Sequence, residues 1–128
     1  MRTDEFVNEV SRFGQFSTST EAREATRATL VTLSQLLTEG EADDLSAQLP
    51  DDLDDWVQST KTQPATGATF DAQGFLRRVA DRLPGEVHKE QAEQQAHLVL
   101  RTLRDAITPG EWDNLTSQLP SDFDRLLN

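Results

Sequence analysis

The sequence predicts an all-α fold, a compact helical bundle of two similar four-helix halves in tandem, with no β-sheet. Three observations lead to this prediction. Residues 20–58 align without a gap to residues 90–128, with 14 identities over 39 positions. Apolar residues in both halves recur at the i, i+3, i+4 spacing of amphipathic helices. No segment alternates apolar and polar residues for long enough to form a strand.

The repeat also sets the expected domain organisation. We expect a single helical domain over residues 1–128, because a chain of 128 residues suits one core of modest size. Its first half spans residues 1–58 and its second half spans residues 70–128. Residues 59–69 hold no periodic apolar residue and are predicted to link the halves.

The first helix of each half is indicated by apolar spacing. It is predicted over residues 3–13 in the first half. Its counterpart should begin after the N-cap Asp71 and end before Pro84. The two apolar stripes are Phe6, Val7, Val10 and Phe13, and Phe75, Leu76, Val79 and Leu83.

A long second helix follows in each half. The first should begin at the N-cap Thr18, which has the capping-box spacing to Glu21, and should run to about Leu37. Its counterpart should begin near Glu86. The stripes expected to be buried are Ala22, Thr26, Leu30, Leu33 and Leu37, and Ala92, Ala96, Leu100, Leu103 and Ile107.

The third helix carries the strongest part of the repeat. Thr38 is a predicted N-cap and Glu41 follows it three residues later; Thr108 and Glu111 repeat this spacing. Each Thr/Glu pair is expected to form a capping box, in which each side chain accepts from the other residue's amide. A proline ends each helix, and a short, acidic fourth helix follows it. The structural signature is Thr38, Glu41, Leu45, Gln48, Leu49 and Pro50, with Thr108, Glu111, Leu115, Gln118, Leu119 and Pro120.

This repeated unit resembles a family of domains of unknown function. The resemblance is carried by an Ala-rich helix, a Thr-x-Gly-Glu segment, and Leu-x-x-Gln-Leu-Pro followed by a short apolar tail, all present twice. That family consists of small all-helical proteins from bacteria and haloarchaea, which usually carry the unit in duplicate. The resemblance implies an all-α fold, and it brings no established activity and no catalytic residues.

Acidic residues dominate the charge balance. There are 23 Asp and Glu against 12 Lys and Arg, for a net charge of −11, and the only lysines are Lys61 and Lys89. The acids could form a surface for a basic partner, or they could adapt the whole surface to high salt, where screening removes self-repulsion. Their even spread and the scarcity of lysine favour the second interpretation and indicate a halophilic source. Bare nucleic acid is a poor partner, because the densest basic spot is only Arg77, Arg78 and Arg82.

Several classes of site are not expected. The chain has no cysteine, so disulfides and thiolate metal sites are excluded. It shows no apolar run of membrane-spanning length and no signal-peptide pattern, so we expect a cytoplasmic protein without a membrane partner. The glycines form no phosphate-binding motif, and no cofactor is expected.

Candidate catalytic and metal-binding residues are few. His88 and His97 are nine residues apart, or about 900° on one helix, so we expect them on opposite sides and at the surface. An ordinary acidic helix start is favoured over a cation site for the aspartate run, which lacks the glycine and glutamate of an EF-hand loop. No catalytic constellation emerges, so we expect no enzymatic activity; weak cation binding remains open. The aspartates in question are Asp43, Asp44, Asp51, Asp52, Asp54 and Asp55.

Both tryptophans break the symmetry of the repeat. Trp56 aligns with Leu126 and Trp112 aligns with Ala42. The favoured interpretation is compensating packing between the halves, and the alternative is a contact with a partner. Trp56 is the stronger candidate for such a contact, because its helix is short and highly charged.

Two classes of function follow. The first is a non-catalytic protein-interaction or scaffold module, which binds an unknown protein partner or associates with itself. The alternative is a ligand-binding or enzymatic bundle with a pocket between the two halves. A closed core with a flat patch would favour the first, and a cleft above about 300 Å³ with buried carboxylates or histidine would favour the second.

Overall fold

The protein is all-α, as the sequence predicts. The computed structural model describes residues 2–13, 16–58, 71–85 and 88–127, and no strand occurs among them. The linker predicted over 59–69 lies outside the described residues. The helices are α1 (Thr3–Phe13), α2 (Ser19–Ser34), α3 (Glu39–Ser46), α4 (Asp51–Val57), α5 (Ala72–Arg82), α6 (Lys89–Ala106), α7 (Pro109–Ser117) and α8 (Asp124–Leu127), with a 3-10 turn at Ser121–Phe123 before α8.

The predicted starts of α2 and α5 are confirmed by their caps. The Thr18 hydroxyl accepts a hydrogen bond from the Glu21 amide at 3.1 Å. The Glu21 carboxylate in turn accepts from the Ser17 amide at 3.2 Å. Asp71 accepts from the Gly74 amide at 2.8 Å. These side chains satisfy amides that the first helical turn leaves without an intrahelical partner.

Two predicted boundaries were wrong by three residues. Helix α2 ends at Ser34 and not near Leu37, because the following amides bond to carbonyls three residues back and so tighten the chain out of the α-helix. Helix α6 begins at Lys89 and not near Glu86. The residue before it, His88, has an extended backbone and serves as the N-cap without a side-chain cap bond.

The two long helices form the centre of the bundle. Helices α2 and α6 contact each other, and both α1 and α5 pack against the pair. The predicted stripes on α2 and α6 are buried apart from Leu37, which lies beyond the end of α2 and is half-buried. Phe75 of α5 packs edge-on against Phe123, with ring centroids 5.2 Å apart. The core thus draws on both copies of the repeat.

The shorter helices lie around this centre and build the sites described next. Helix α4 packs on α2, α8 packs on α6, and α3 contacts α7. Leu45 and Leu115 are buried, as expected. Leu49 and Leu119 are only half-buried, because α3 and α7 end before them.

Candidate functional site

The contact between α3 and α7 is built by reciprocal hydrogen bonds between the two copies of the repeat. The Gln118 Oε1 accepts from the Thr38 amide at 3.1 Å. The Gln48 Oε1 accepts from the Thr108 amide at 3.0 Å. Each glutamine of a Gln-Leu-Pro segment therefore caps a helix in the other copy.

This arrangement confirms one half of the predicted capping boxes and overturns the other half. The Thr38 and Thr108 hydroxyls accept from the Glu41 and Glu111 amides, both at 3.2 Å. The glutamate carboxylates were expected to accept from the threonine amides. Glutamines from the other copy occupy those amides instead, so the carboxyl groups are released from the helix ends.

The released carboxyl groups form a buried pair. Glu41 is only 6% exposed and Glu111 only 7%. Within the described part of the chain, the Oε1 atom of each has no hydrogen-bond partner. Burial, followed by hydrogen bonding to Glu111 and the charges of Glu111 and Asp44, raises the pKa of Glu41 to about 7. Glu41 therefore takes up a proton near neutral pH.

A shallow groove of about 690 Å³ runs between α6 and α8. His97 lies beside it, and its Nδ1 is 2.7 Å from the Leu126 carbonyl oxygen. Because a carbonyl only accepts, Nδ1 carries the hydrogen of this bond. Arg125 of α8 also pairs with Glu93 of α6 at 3.3 Å. The groove is lined by His88, Glu90, Gln91, Glu93, Gln94, His97, Arg125 and Leu126.

Two expectations about the histidines were therefore wrong. His88 and His97 line the same groove and do not lie on opposite sides. The angular argument assumed one continuous helix, whereas His88 precedes the helix in an extended conformation. His97 is half-buried and bonded to α8, where a solvated side chain was expected.

Trp56 lies on a surface formed by α2 and α4. The Arg23 guanidinium lies 5.1 Å from the centroid of the Trp56 ring. Its Nη2 donates to the Asp52 carboxylate at 3.3 Å. Asp55 is exposed on the same short helix, whereas Trp56 is half-buried and packs against the core. Arg23, Asp52, Asp55 and Trp56 are called the Trp56 surface below.

Trp112, the second candidate contact, has a related environment on α7. It is half-buried and packs against the core. The Arg104 guanidinium lies 6.0 Å from its ring centroid, at the outer limit of a cation–π contact. Within the described part of the chain no carboxylate forms an ion pair with Arg104, so Trp112 lacks the charged frame found at Trp56.

The aspartate run does not converge on a metal site within the described residues. There, no three His, Cys, Asp or Glu side chains are arranged to hold a metal ion. Asp52 pairs with Arg23, and Asp54 accepts from the Gln58 amide group at 3.1 Å. The Asp51 side chain lies outside the described residues, and weak cation binding by the run stays a prediction.

Comparison with known protein families shows which family the chain belongs to. Residues 3–126 match the model of an uncharacterized conserved protein family, DUF2267. The chain belongs to the DUF2267 family. This confirms the resemblance to a domain of unknown function, and the DUF2267 match spans both copies of the repeat. A search of curated proteins finds no match. Among the described helices of this DUF2267 protein, none has the length and apolar character needed to cross a membrane.

Sequence reasoning did not single out Arg23 or the exchange of glutamine caps. A signal for Arg23 was available, because it aligns with Glu93 and Asp55 aligns with Arg125, so charge reverses between the copies at both positions. The structure shows why: Arg23 pairs within the first copy, and Arg125 pairs with Glu93 within the second. The charge reverses at both residues of the Arg125–Glu93 pair but only at Arg23 in the first copy, because Asp52 aligns with Asp122.

Proposed function

We propose that this DUF2267 protein is a non-catalytic protein-interaction module whose contact is the Trp56 surface. The observation that carries the proposal is a half-buried tryptophan framed by a partly exposed arginine and exposed aspartates. Tryptophan is among the residues most enriched at the positions that dominate binding energy in protein interfaces. The proposal includes a cytoplasmic, high-salt setting, which the net charge of −11 supports.

The comparison between the copies gives further support. Most residues shared by both copies cap helices, pack the core or exchange bonds between α3 and α7, so they have structural tasks; Asp52, which aligns with Asp122, is also shared. The Trp56 surface is where the copies differ: Trp56 aligns with Leu126, and Arg23 aligns with Glu93. A specific partner is best sought at such a difference.

The copies also supply the variants for the test. Trp56→Leu installs the residue that the second copy has at this position, and Trp112→Ala installs the residue of the first copy. We expect wild type and Trp112→Ala to capture the same partner from the native host at its native salt. Trp56→Leu should lose it, as judged by quantitative mass spectrometry. Equal capture by all three proteins would refute the proposal.

A second function is favoured by the α6–α8 groove. Its volume of about 690 Å³ exceeds the threshold set above for a ligand pocket, and the ring of His97 beside it is half-buried where a buried histidine was the criterion. It differs from the expected pocket, however, because it is open and lies between α6 and α8 and not between the halves. Titration with pools of small polar molecules, followed by NMR of the His88 and His97 rings, tests this function. The absence of any saturable shift at both rings would exclude it.

A further inference from the structure

The Trp56 surface already holds a guanidinium from its own chain. Arg23 reaches it from α2, 29 positions before Asp52 in the sequence, and contacts both the ring and the carboxylate. Asp52 and Trp56 are four residues apart on α4, so they share a helix face and offer an aromatic plane and an anion side by side. This pair of groups is what an arginine side chain requires.

The contacts of Arg23 are weak enough to be exchanged. Its side chain is 43% exposed and that of Asp52 is 53% exposed. It donates a single hydrogen bond of 3.3 Å to Asp52, where the guanidinium can form two with a well-placed carboxylate. An exposed ion pair of this kind contributes little stability.

We propose that the Trp56 surface recognises an arginine side chain of a protein partner, which displaces Arg23 from Trp56 and Asp52. This inference rests on the proposed function. The charge of the protein favours such a partner, because the net charge is −11 and Asp55 adds a second exposed carboxylate to α4. Arginine fits better than lysine, since its planar group stacks on the ring while it donates to Asp52.

Arg23 then acts as an internal competitor. If it occupies the surface about four-fifths of the time, it weakens binding of an external arginine about fivefold. Arg23→Gln should therefore tighten binding about fivefold, even though it removes a residue of the contact surface. Arg12→Gln is the matched control: it causes the same charge change and breaks an exposed ion pair, with Glu9 at 3.5 Å, away from tryptophan.

The test uses an oligoarginine peptide and an oligolysine peptide of equal length as probes. Binding is followed by tryptophan fluorescence of the full chain carrying Trp112→Phe, so that Trp56 alone reports, and by calorimetry. We expect oligoarginine to bind more tightly than oligolysine, because a guanidinium can stack on the Trp56 ring while it donates to Asp52. Trp56→Leu, checked for folding by circular dichroism, should abolish this preference in calorimetry. Arg23→Gln should bind more tightly than Arg12→Gln.

Each of the following results would overturn the inference. Equal binding of both peptides would mean general attraction of cations, and equal affinities of Arg23→Gln and Arg12→Gln would mean that Arg23 does not compete. A sedimentation coefficient that falls in Trp56→Leu would make a second copy of the chain the occupant. If neither peptide binds but Trp56→Leu does not capture the partner that wild type captures, the inference falls and the proposed function stands. If Trp56→Leu also keeps that partner, both fall.

Discussion

Replacing Glu41 by Gln should change how stability depends on pH. In the folded protein the pKa of Glu41 is about 7, against 4.5 for an ordinary glutamate. The folded state therefore binds more protons than the unfolded state between these values. Protonation of Glu41 therefore raises the free energy of unfolding below pH 4.5, and this contribution is lost as the pH rises through 7. Glutamine has nearly the same shape and stays neutral, so the loss should disappear.

The size of the effect follows from the two pKa values. A difference of about 2.5 corresponds to about 3 kcal/mol at 1.36 kcal/mol for each pKa unit. The free energy of unfolding of Glu41→Gln minus that of wild type should therefore be larger above pH 7 than below pH 4.5, by up to about 3 kcal/mol. Glutamine can also donate to the oxygen of Glu111 that lacks a partner.

Urea unfolding at constant ionic strength, from about pH 4 to about pH 8.5, measures this difference. Glu90→Gln, an exposed change on α6, is the control and should follow the wild-type profile. Glu111→Gln removes the Glu111 charge and places an amide donor beside the Glu41 carboxylate, but it leaves Glu41 buried, so the loss of stability should move to lower pH without vanishing. Parallel profiles for wild type and Glu41→Gln would refute the reasoning.

Four other predictions follow from the structure. Gln118→Ala should lower the free energy of unfolding by about 1 kcal/mol in urea, because the Thr38 amide loses its acceptor; unchanged stability would contradict this. His97→Ala should remove the bond to Leu126 and speed amide hydrogen exchange in α8, whereas unchanged exchange would show that this bond does not hold α8. The melting temperature should rise steeply from low to molar salt if the acidic surface is an adaptation to salt; a flat curve argues against it. Circular dichroism and tryptophan fluorescence should show coincident unfolding, since α3 and α7 exchange bonds between copies; separate transitions would count against this.

The fold was predictable where its causes are local in sequence. The caps Thr18 and Asp71 and the buried stripes of α2 and α6 depend on residues within a turn or two, and periodicity reveals them. The start of α6 was placed too early, because no local signal marks the extended backbone of His88. Helix boundaries of this kind depend on how the preceding segment packs.

The sites were less predictable, because they join distant residues. The identity of Gln48 and Gln118 in both copies was visible, but a sequence does not show that each finds its partner in the other copy. The local capping-box rule assigned Glu41 to its own helix end, whereas the packing of α3 against α7 turned it toward Glu111. Trp56 was recognised as a departure from the repeat, yet Arg23, 33 positions away, completes its surface.

The exchanged glutamines also bear on the order in which the chain folds. The bond to the Thr38 amide spans 80 positions and the bond to the Thr108 amide spans 60. Closing such long loops costs chain entropy before any contact compensates for it. Neither α3 nor α7 can gain its glutamine cap until the other copy is in place, so these caps form late and together. We therefore expect the two copies of the repeat to fold as one cooperative unit.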